Sequence, residues 1–290
     1  MKSIENWSIE ITPIAATKID NFADYLAPNT TVNVTCLPSS DPIETIQTAV
    51  QLNNDGMNAV PHLAARSFVD HLELDILLKE LVSKASVSEV LIIGGGGKKQ
   101  TGEFPDSMSV LRTGLLQKHG INKVGVAGHP EGNTDIDDEQ LRTTLFEKNE
   151  FAETEGLNMY IETQFCFDPE IILSWERRIR EDGNKLPIHI GIPGPATIKS
   201  LFRFAQLSGV GNSMNFITKQ ARNITKLLTI QTPDVLLSEL SKGMQRDTDC
   251  LLEKFHFYPF GGFAKTVDYI NSILKDNMSI HPNGEDEVKK

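Results

Sequence analysis

The feature that most constrains this chain is a recurrence: a short apolar run of β type, then a longer amphipathic stretch, repeated until eight such runs have passed. The runs are Ser8 to Thr12, Thr31 to Cys36, Asn58 to Leu63, Glu89 to Gly94, Lys123 to Gly128, Asn158 to Phe165, Pro187 to Ile192 and Lys254 to Phe260. Through the seventh, their centres lie roughly 24 to 36 residues apart, enough for one strand, one crossover helix and two loops, and far too long for hairpins. Between them, helical signals are readable. Asp41-Pro42 opens a helix closing at Gly56, Ser67 precedes a second (Val69 to Lys84), and Asp106 opens a third that ends at Gly120. Eight strand–helix alternations predict an α/β fold, a single (β/α)8 TIM barrel; a doubly wound sheet has fewer strands and an early nucleotide fingerprint. The seventh and eighth runs are separated by extra helices, predicted at Ala196 to Leu207, Phe216 to Leu228 and Val235 to Met244. No linker composition marks a boundary, so residues 1–280 read as one domain and residues 281–290, with almost nothing to bury, as a frayed tail.

Composition narrows function by exclusion. With 39 acidic against 28 basic residues, a net charge of −11 argues against a phosphate backbone as the main partner. No window reaches the length of an apolar membrane span, and the N-terminus lacks the apolar stretch of a signal peptide. Cys36, Cys166 and Cys250 are widely spaced with no C-x-x-C, which favours a reducing, cytoplasmic setting over a disulfide framework or zinc ribbon.

In such a barrel the chemistry collects at the C-terminal ends of the strands. Those ends offer Glu10 with Thr12, then Thr35, His62, the run Gly94 to Gly97, His129 with Glu131, Gln164, His189 and Tyr258. Glu10, set between Ile9 and Ile11, is expected to be partly desolvated, with a raised pKa suited to proton donation; the alternative is an outward-facing carboxylate bonded to a helix. Gln164 presents a donor and an acceptor together, the equipment for an amide-like heterocycle edge, unless backbone satisfies it inside the barrel. His62, His129 and His189 invite a zinc reading, but no H-x-H or H-x-x-E-H spacing accompanies them, and hydrogen-bonding roles are the expectation. Gly94-Gly95-Gly96-Gly97 lacks the order of a nucleotide fingerprint, yet glycines after a strand allow close approach by a flat or anionic ligand; a loop without a role is the other reading.

Taken in order, these residues resemble the methylenetetrahydrofolate reductase family. The matching pieces are Ser8-Ile9-Glu10-Ile11-Thr12-Pro13, Val34-Thr35, Pro61-His62-Leu63, Val126-Ala127-Gly128-His129-Pro130-Glu131-Gly132, Thr163-Gln164-Phe165-Cys166-Phe167-Asp168, Gly191-Ile192-Pro193 and Phe255-His256-Phe257-Tyr258. The resemblance implies a (β/α)8 barrel that reduces the methylene bridge of methylenetetrahydrofolate to an N5-methyl group, with hydride from a flavin reloaded by NAD(P)H. It puts Glu10 on the acid that protonates the folate, Gln164 on the pterin-binding Gln, Phe204 on an aromatic that stacks on the folate, and Thr35 and His62 on the flavin pocket. Opening the bridge needs a proton, and hydride transfer needs two flat rings held face to face away from water.

Two departures bear on the cofactor. The family's Arg-Gly-Asp-type turn after strand four is here Gly94-Gly95-Gly96, and its Tyr and following His near strand five are here His129 and Asn133. These changes weaken the case for FAD and leave open a direct transfer, with the glycine run and His129 beside NAD(P)H. Direction stays open too, since one site lowers the barrier both ways. A pterin-binding methyltransferase on the same barrel, or a barrel that only binds folate, are the competing readings. A homo-oligomer is also open.

Overall fold

In the computed structural model, residues 6–36, 41–95, 100–207 and 230–280 are described, the side chains of residues 205, 207 and 276–280 excepted. The strands in chain order are β1 (Trp7–Ile11), β2 (Thr31–Val34), β3 (Asn58–Ala64), β4 (Glu89–Ile93), β5 (Lys123–Gly128), β6 (Asn158–Phe165), β7 (Ile188–Pro193), β8 (Ala196–Thr197), β9 (Ile230–Gln231) and β10 (Leu252–Tyr258). Eight of them close a barrel in the order β1-β10-β7-β6-β5-β4-β3-β2, and every barrel pairing is parallel. β8 and β9 pair antiparallel as a separate small sheet. This is the (β/α)8 barrel that the strand spacing predicts.

Alternation along each strand divides its residues between two environments. Ile9, Ile11, Val32, Val34, Val90, Ile92, Val124, Val126, Ile190, Ile192, Phe255 and Phe257 are buried in the main core, together with helix residues such as Leu74, Leu78 and Ile172. Each such side chain contributes about 1.5–3 kcal/mol through its removal from water. The residues between them, Ser8, Glu10, Asn33, His62, Glu162, His189 and His256, bond to one another across the barrel, as described below. Barrel interiors are ordinarily layers of Val, Ile and Leu.

The helices start where carboxylates cap them. Asp41 accepts from the Ile43 N–H ahead of Pro42–Asn54, and Asp168 accepts from the Glu170 N–H ahead of Pro169–Glu181; both helices carry Pro in the first turn. The second predicted helix begins later than Ser67 suggests. Ser67 ends a 3-10 turn with its hydroxyl on the Ala64 carbonyl, and Asp70 is the cap of His71–Ala85. The third is broken in two, Ser107–Leu111 and Leu115–Lys118, because Gly114 between them sits at φ +69°. The helix predicted from Ala196 starts at Ile198, since Ala196–Thr197 forms β8, and ends at Leu207; that predicted at Val235 to Met244 runs Asp234–Arg246. The predictions for Phe216 to Leu228 and for the tail fall outside the described residues. No helix among the described residues is long and apolar enough to cross a membrane. Cys36, Cys166 and Cys250 form no disulfide among the described residues.

Candidate functional site

Glu10 resolves the first ambiguity. It stands opposite Asn33 of β2 in the parallel register, and Thr35, just past β2, donates its hydroxyl to Glu10 Oε1 at 2.6 Å. Glu10 Oε2 lies 3.6 Å from His256 Nε2. The carboxylate therefore faces the barrel interior rather than a helix. Its side chain is 14% exposed while that of His256 is fully buried, so Glu10 is the wetter end of this pair.

Below it lies a second acid that the strand-end reasoning passed over. Glu162 on β6 accepts from Asn33 Nδ2 at 2.6 Å, and its Oε2 lies 3.5 Å from His256 Nδ1 and 3.9 Å from His189 Nδ1. Asn33 Nδ2 is also 3.3 Å from His62 Nε2, which brings the β3 histidine into the same network. His256 Nδ1 is 3.0 Å from the Ser8 hydroxyl. The ring of His189 stacks on Tyr160 at 4.0 Å between centroids. Two carboxylates and three imidazoles thus share one buried column.

The electrostatics of the column differ from expectation at Glu10. Burial does push its carboxyl upward, but the nearby imidazoles of His256 and His62 and the Thr35 hydroxyl outweigh it, leaving the pKa below the ordinary value. For Glu162 burial again pushes up, and the neighbouring imidazoles of His256, His189 and His62 bring the value down to about 2. Burial lowers the pKa of both His62 and His189 despite the facing carboxylates. At neutral pH Glu10 and Glu162 are both carboxylates.

Gln164 ends β6, where the pairing with β7 shifts register between Glu162 and Phe165. The shift is held by the Gly191 N–H on the Thr163 hydroxyl at 2.8 Å and by the Tyr258 hydroxyl on the Thr163 carbonyl at 3.0 Å. It requires glycine: a Cβ on Gly191 would lie 2.6 Å from the Thr163 oxygen and 2.7 Å from that of Gln164. Gln164 itself is half-buried, and no hydrogen bond engages its amide among the described residues. An unengaged amide at a barrel mouth is available to a ligand.

Phe204 belongs to an aromatic cluster over this corner. It stacks on Phe260 at 4.3 Å between centroids, Phe260 stacks on Tyr258 at 5.6 Å, and Tyr258 sets its ring edge-on to His256 at 5.0 Å. Beside it, a cavity of about 200 Å³ opens past the end of β7, lined by Phe167, Pro193, Ile198, Leu201 and Leu236 among others. The helix Ile198–Leu207 places both features at the same end of the barrel as Glu10.

The opposite side of the mouth carries glycines just past β4. Among the described residues, a Cβ on Gly94 would meet nothing within 4 Å, whereas Gly95, at φ +90°, would bring one to 3.3 Å from Ala64 Cβ. Gly96 lies outside the described residues. His129 stands apart from the interior column; burial and the neighbouring Lys148 lower its pKa to about 4, so it is a neutral imidazole. Of the residues that the resemblance puts on the flavin pocket, Thr35 bonds to Glu10 and His62 reaches Asn33, and Gly94 and Gly95, where the family has its Arg-Gly-Asp turn, have no side chain. The described residues do not fit a flavin-holding set. Nor do the three histidines of the zinc reading converge: among the described residues, no group of three or more His, Cys, Asp or Glu side chains has the arrangement to hold a metal ion.

The sequence of residues 25–226 matches the methylenetetrahydrofolate reductase family. The chain belongs to that family. A solved structure from Clostridium thermocellum, of a protein that binds two copies of 5-methyl-5,6,7,8-tetrahydrofolic acid, superposes with a TM-score of 0.57 at 11% identity, covering 96% of this chain and 98% of that one. At such identity the likeness speaks for the shared barrel. Dihydropteroate synthase from Thermus thermophilus gives a TM-score of 0.47 at 12% identity over 93% and 92% of the two chains.

Sequence reasoning missed Glu162, His256, Asn33 and Ser8 as members of the site. A signal was present. Each is a polar residue inside a strand run: Asn33 in Val32-Asn33-Val34, His256 in Phe255-His256-Phe257 and Ser8 in Trp7-Ser8-Ile9 repeat the pattern Ile9-Glu10-Ile11, and Glu162 follows Ile161. In a closed barrel whose outer strand face is apolar, that pattern turns the polar residue inward.

Proposed function

We propose that this protein is a folate-dependent oxidoreductase that interconverts 5,10-methylenetetrahydrofolate and 5-methyltetrahydrofolate, with Glu10 as the proton donor. Family membership supports a folate-related function, and the folate-binding barrel from Clostridium thermocellum agrees with that ligand class. The observation that carries the reading is Glu10 itself: an inward-facing carboxylate at the mouth, fixed by the Thr35 hydroxyl and 3.6 Å from an imidazole, where the resemblance puts the folate-protonating acid.

Glu10 delivers a proton to N10 of the methylene bridge, the bond from N10 to the bridging carbon opens, and the pair of electrons stays on N10. The N5-iminium left behind accepts hydride. Gln164 reads the amide edge of the pterin, and Phe204, with Phe260, provides an aromatic face for the folate. Gly94, just past β4 and without a side chain, would leave room for NAD(P)H as second substrate, which would supply the hydride directly. The two flat partners then lie between a side that manages protons and a side that leaves room.

The test is an absorption spectrum of the purified protein before and after incubation with FAD and desalting, paired with calorimetric titration of 5-methyltetrahydrofolate. A colourless protein that binds the folate is the expected result. Retained flavin bands would overturn direct transfer, and absence of folate binding would overturn the substrate assignment.

A further inference from the structure

The interior column contains an atom that the proposed chemistry has not used. His256 Nε2 is fully enclosed, has no hydrogen-bond partner among the described residues, and points at Glu10 Oε2 across 3.6 Å. An unpaired polar atom in a barrel interior is costly unless it has an occasional partner. Here the neighbour within reach is the carboxylate assigned to protonate the folate.

The other side of the ring is anchored. Nδ1 is 3.0 Å from the Ser8 hydroxyl and 3.5 Å from Glu162 Oε2, and the edge of Tyr258 closes off the ring face. An imidazole with a carboxylate opposite each nitrogen has acceptors for two N–H groups, which only the cationic form possesses. The titratable groups around it on every neighbouring element are Glu10 on β1, Glu162 on β6, His189 on β7, His62 on β3, and Lys254 and Tyr258 on its own strand. His62 and His189 are held toward their neutral forms by burial.

We propose that His256 is the proton store of the site: Glu162 and Ser8 hold its ring in the cationic form, and its Nε2 supplies the proton that Glu10 passes to the substrate. This deepens the folate reading and rests on it. In the free protein the pair is imidazolium and carboxylate. Seating of a flat substrate removes water from Glu10, and an ion pair in a drier site moves toward its neutral form by transfer of one proton. The Nε2–H bond breaks and the Glu10 O–H bond forms; that O–H then breaks as N10 takes the proton and the bond between N10 and the bridging carbon opens. His256 ends neutral and Glu10 ends as carboxylate. One solvent proton, entering at the exposed edge of Glu10, restores the pair. Glu162 never touches the substrate and is a positioning residue.

The arrangement also removes a difficulty. A carboxyl held below its ordinary pKa is a poor reservoir of protons at neutral pH, and a partner that carries the proton lets Glu10 remain the donor.

Two measurements test the proposal. The first is nitrogen NMR of the intact protein labelled at histidine, with His256→Gln used to assign the ring. At neutral pH both His256 nitrogens should carry hydrogen, and Glu162→Gln should shift the ring toward a neutral tautomer. A neutral His256 in the unaltered protein overturns the proposal. The second is the pH profile of methylenetetrahydrofolate reduction. His256→Gln and Glu162→Gln should lower kcat by about tenfold or more at neutral pH with little change in folate affinity, and the deficit should shrink as acid protonates Glu10 directly. Unchanged kcat and an unchanged profile in a folded His256→Gln protein also overturn it. If the unaltered protein shows the charged ring but neither binds nor reduces the folate, the substrate assignment falls and the relay to folate falls with it, while the charged pair stands.

Discussion

The two sides of the barrel mouth are built on opposite plans. On the side formed by β1, β2, β3, β6 and β10, the polar side chains Glu10, Thr35, Asn33, His62, Glu162 and His256 stand within hydrogen-bonding or ion-pairing reach of one another. On the side formed by β4 and β5, the strand ends carry Gly94 and Gly95, with no described residue within 4 Å of a Cβ on Gly94, and a neutral His129 outside the network. The difference teaches a division of labour. A proton has to be held at a defined atom, which needs many fixed groups, whereas a flat second substrate needs an unobstructed wall. Four experiments break or sharpen that contrast.

The largest effect is expected at Glu10. Glu10→Gln keeps the side chain's shape and removes its proton, so methylenetetrahydrofolate reduction should fall by ~10²–10⁴-fold while calorimetry still records folate binding. Equal losses of turnover and binding would mean that Glu10 anchors the ligand instead.

Next comes the seam that supports Gln164. Gly191→Ala drives a Cβ to within 2.6 Å of the Thr163 oxygen, so the β6–β7 pairing must open. Denaturant unfolding should show a loss of about 1–3 kcal/mol, together with weaker folate binding. An unchanged midpoint would show that the register shift there is loosely held.

Acid should act on the buried imidazoles and on Glu162. His62, His189 and His129 have pKa values below the usual 6.5, the last at about 4, so the unfolded chain binds protons that the folded one refuses once pH drops below 6.5. Glu162, held at about 2 against the usual 4.5, contributes stability above 4.5 that is lost as pH falls toward 2. Both signs agree. Tm should fall steadily from pH 6.5 downward, by about 5 °C or more before pH 4, as read by calorimetry. A flat Tm over that range would contradict the buried, neutral imidazoles.

The smallest effect belongs to the glycine side. Gly94→Ala adds a methyl where no described residue lies within 4 Å, so stability should hold, while KM for NAD(P)H rises severalfold and folate affinity is unaltered. A rise in the folate KM instead would reassign that wall.

Why these two sides differ in legibility follows from their chemistry. The barrel was readable because strand spacing is set by one crossover helix at a time, and β5 and β6 match their predicted runs residue for residue. Glu10 was readable as a candidate because it stands near a strand end. Its charge state was not, because that depends on His256, roughly 250 positions away in sequence and brought beside β1 only by barrel closure. Glu162 was hidden for the same reason: its partners Asn33, His189 and His256 lie on three other strands. The helix predicted through Gly114 failed on local backbone geometry, which apolar periodicity does not report.

The measurement that bears most directly on the central claim is the oxidation of NADH and of NADPH by the desalted protein, with no flavin added, in the presence and absence of methylenetetrahydrofolate. The account predicts oxidation of at least one nucleotide that depends on the folate and yields 5-methyltetrahydrofolate. Folate-independent oxidation, or none with either nucleotide, would contradict it.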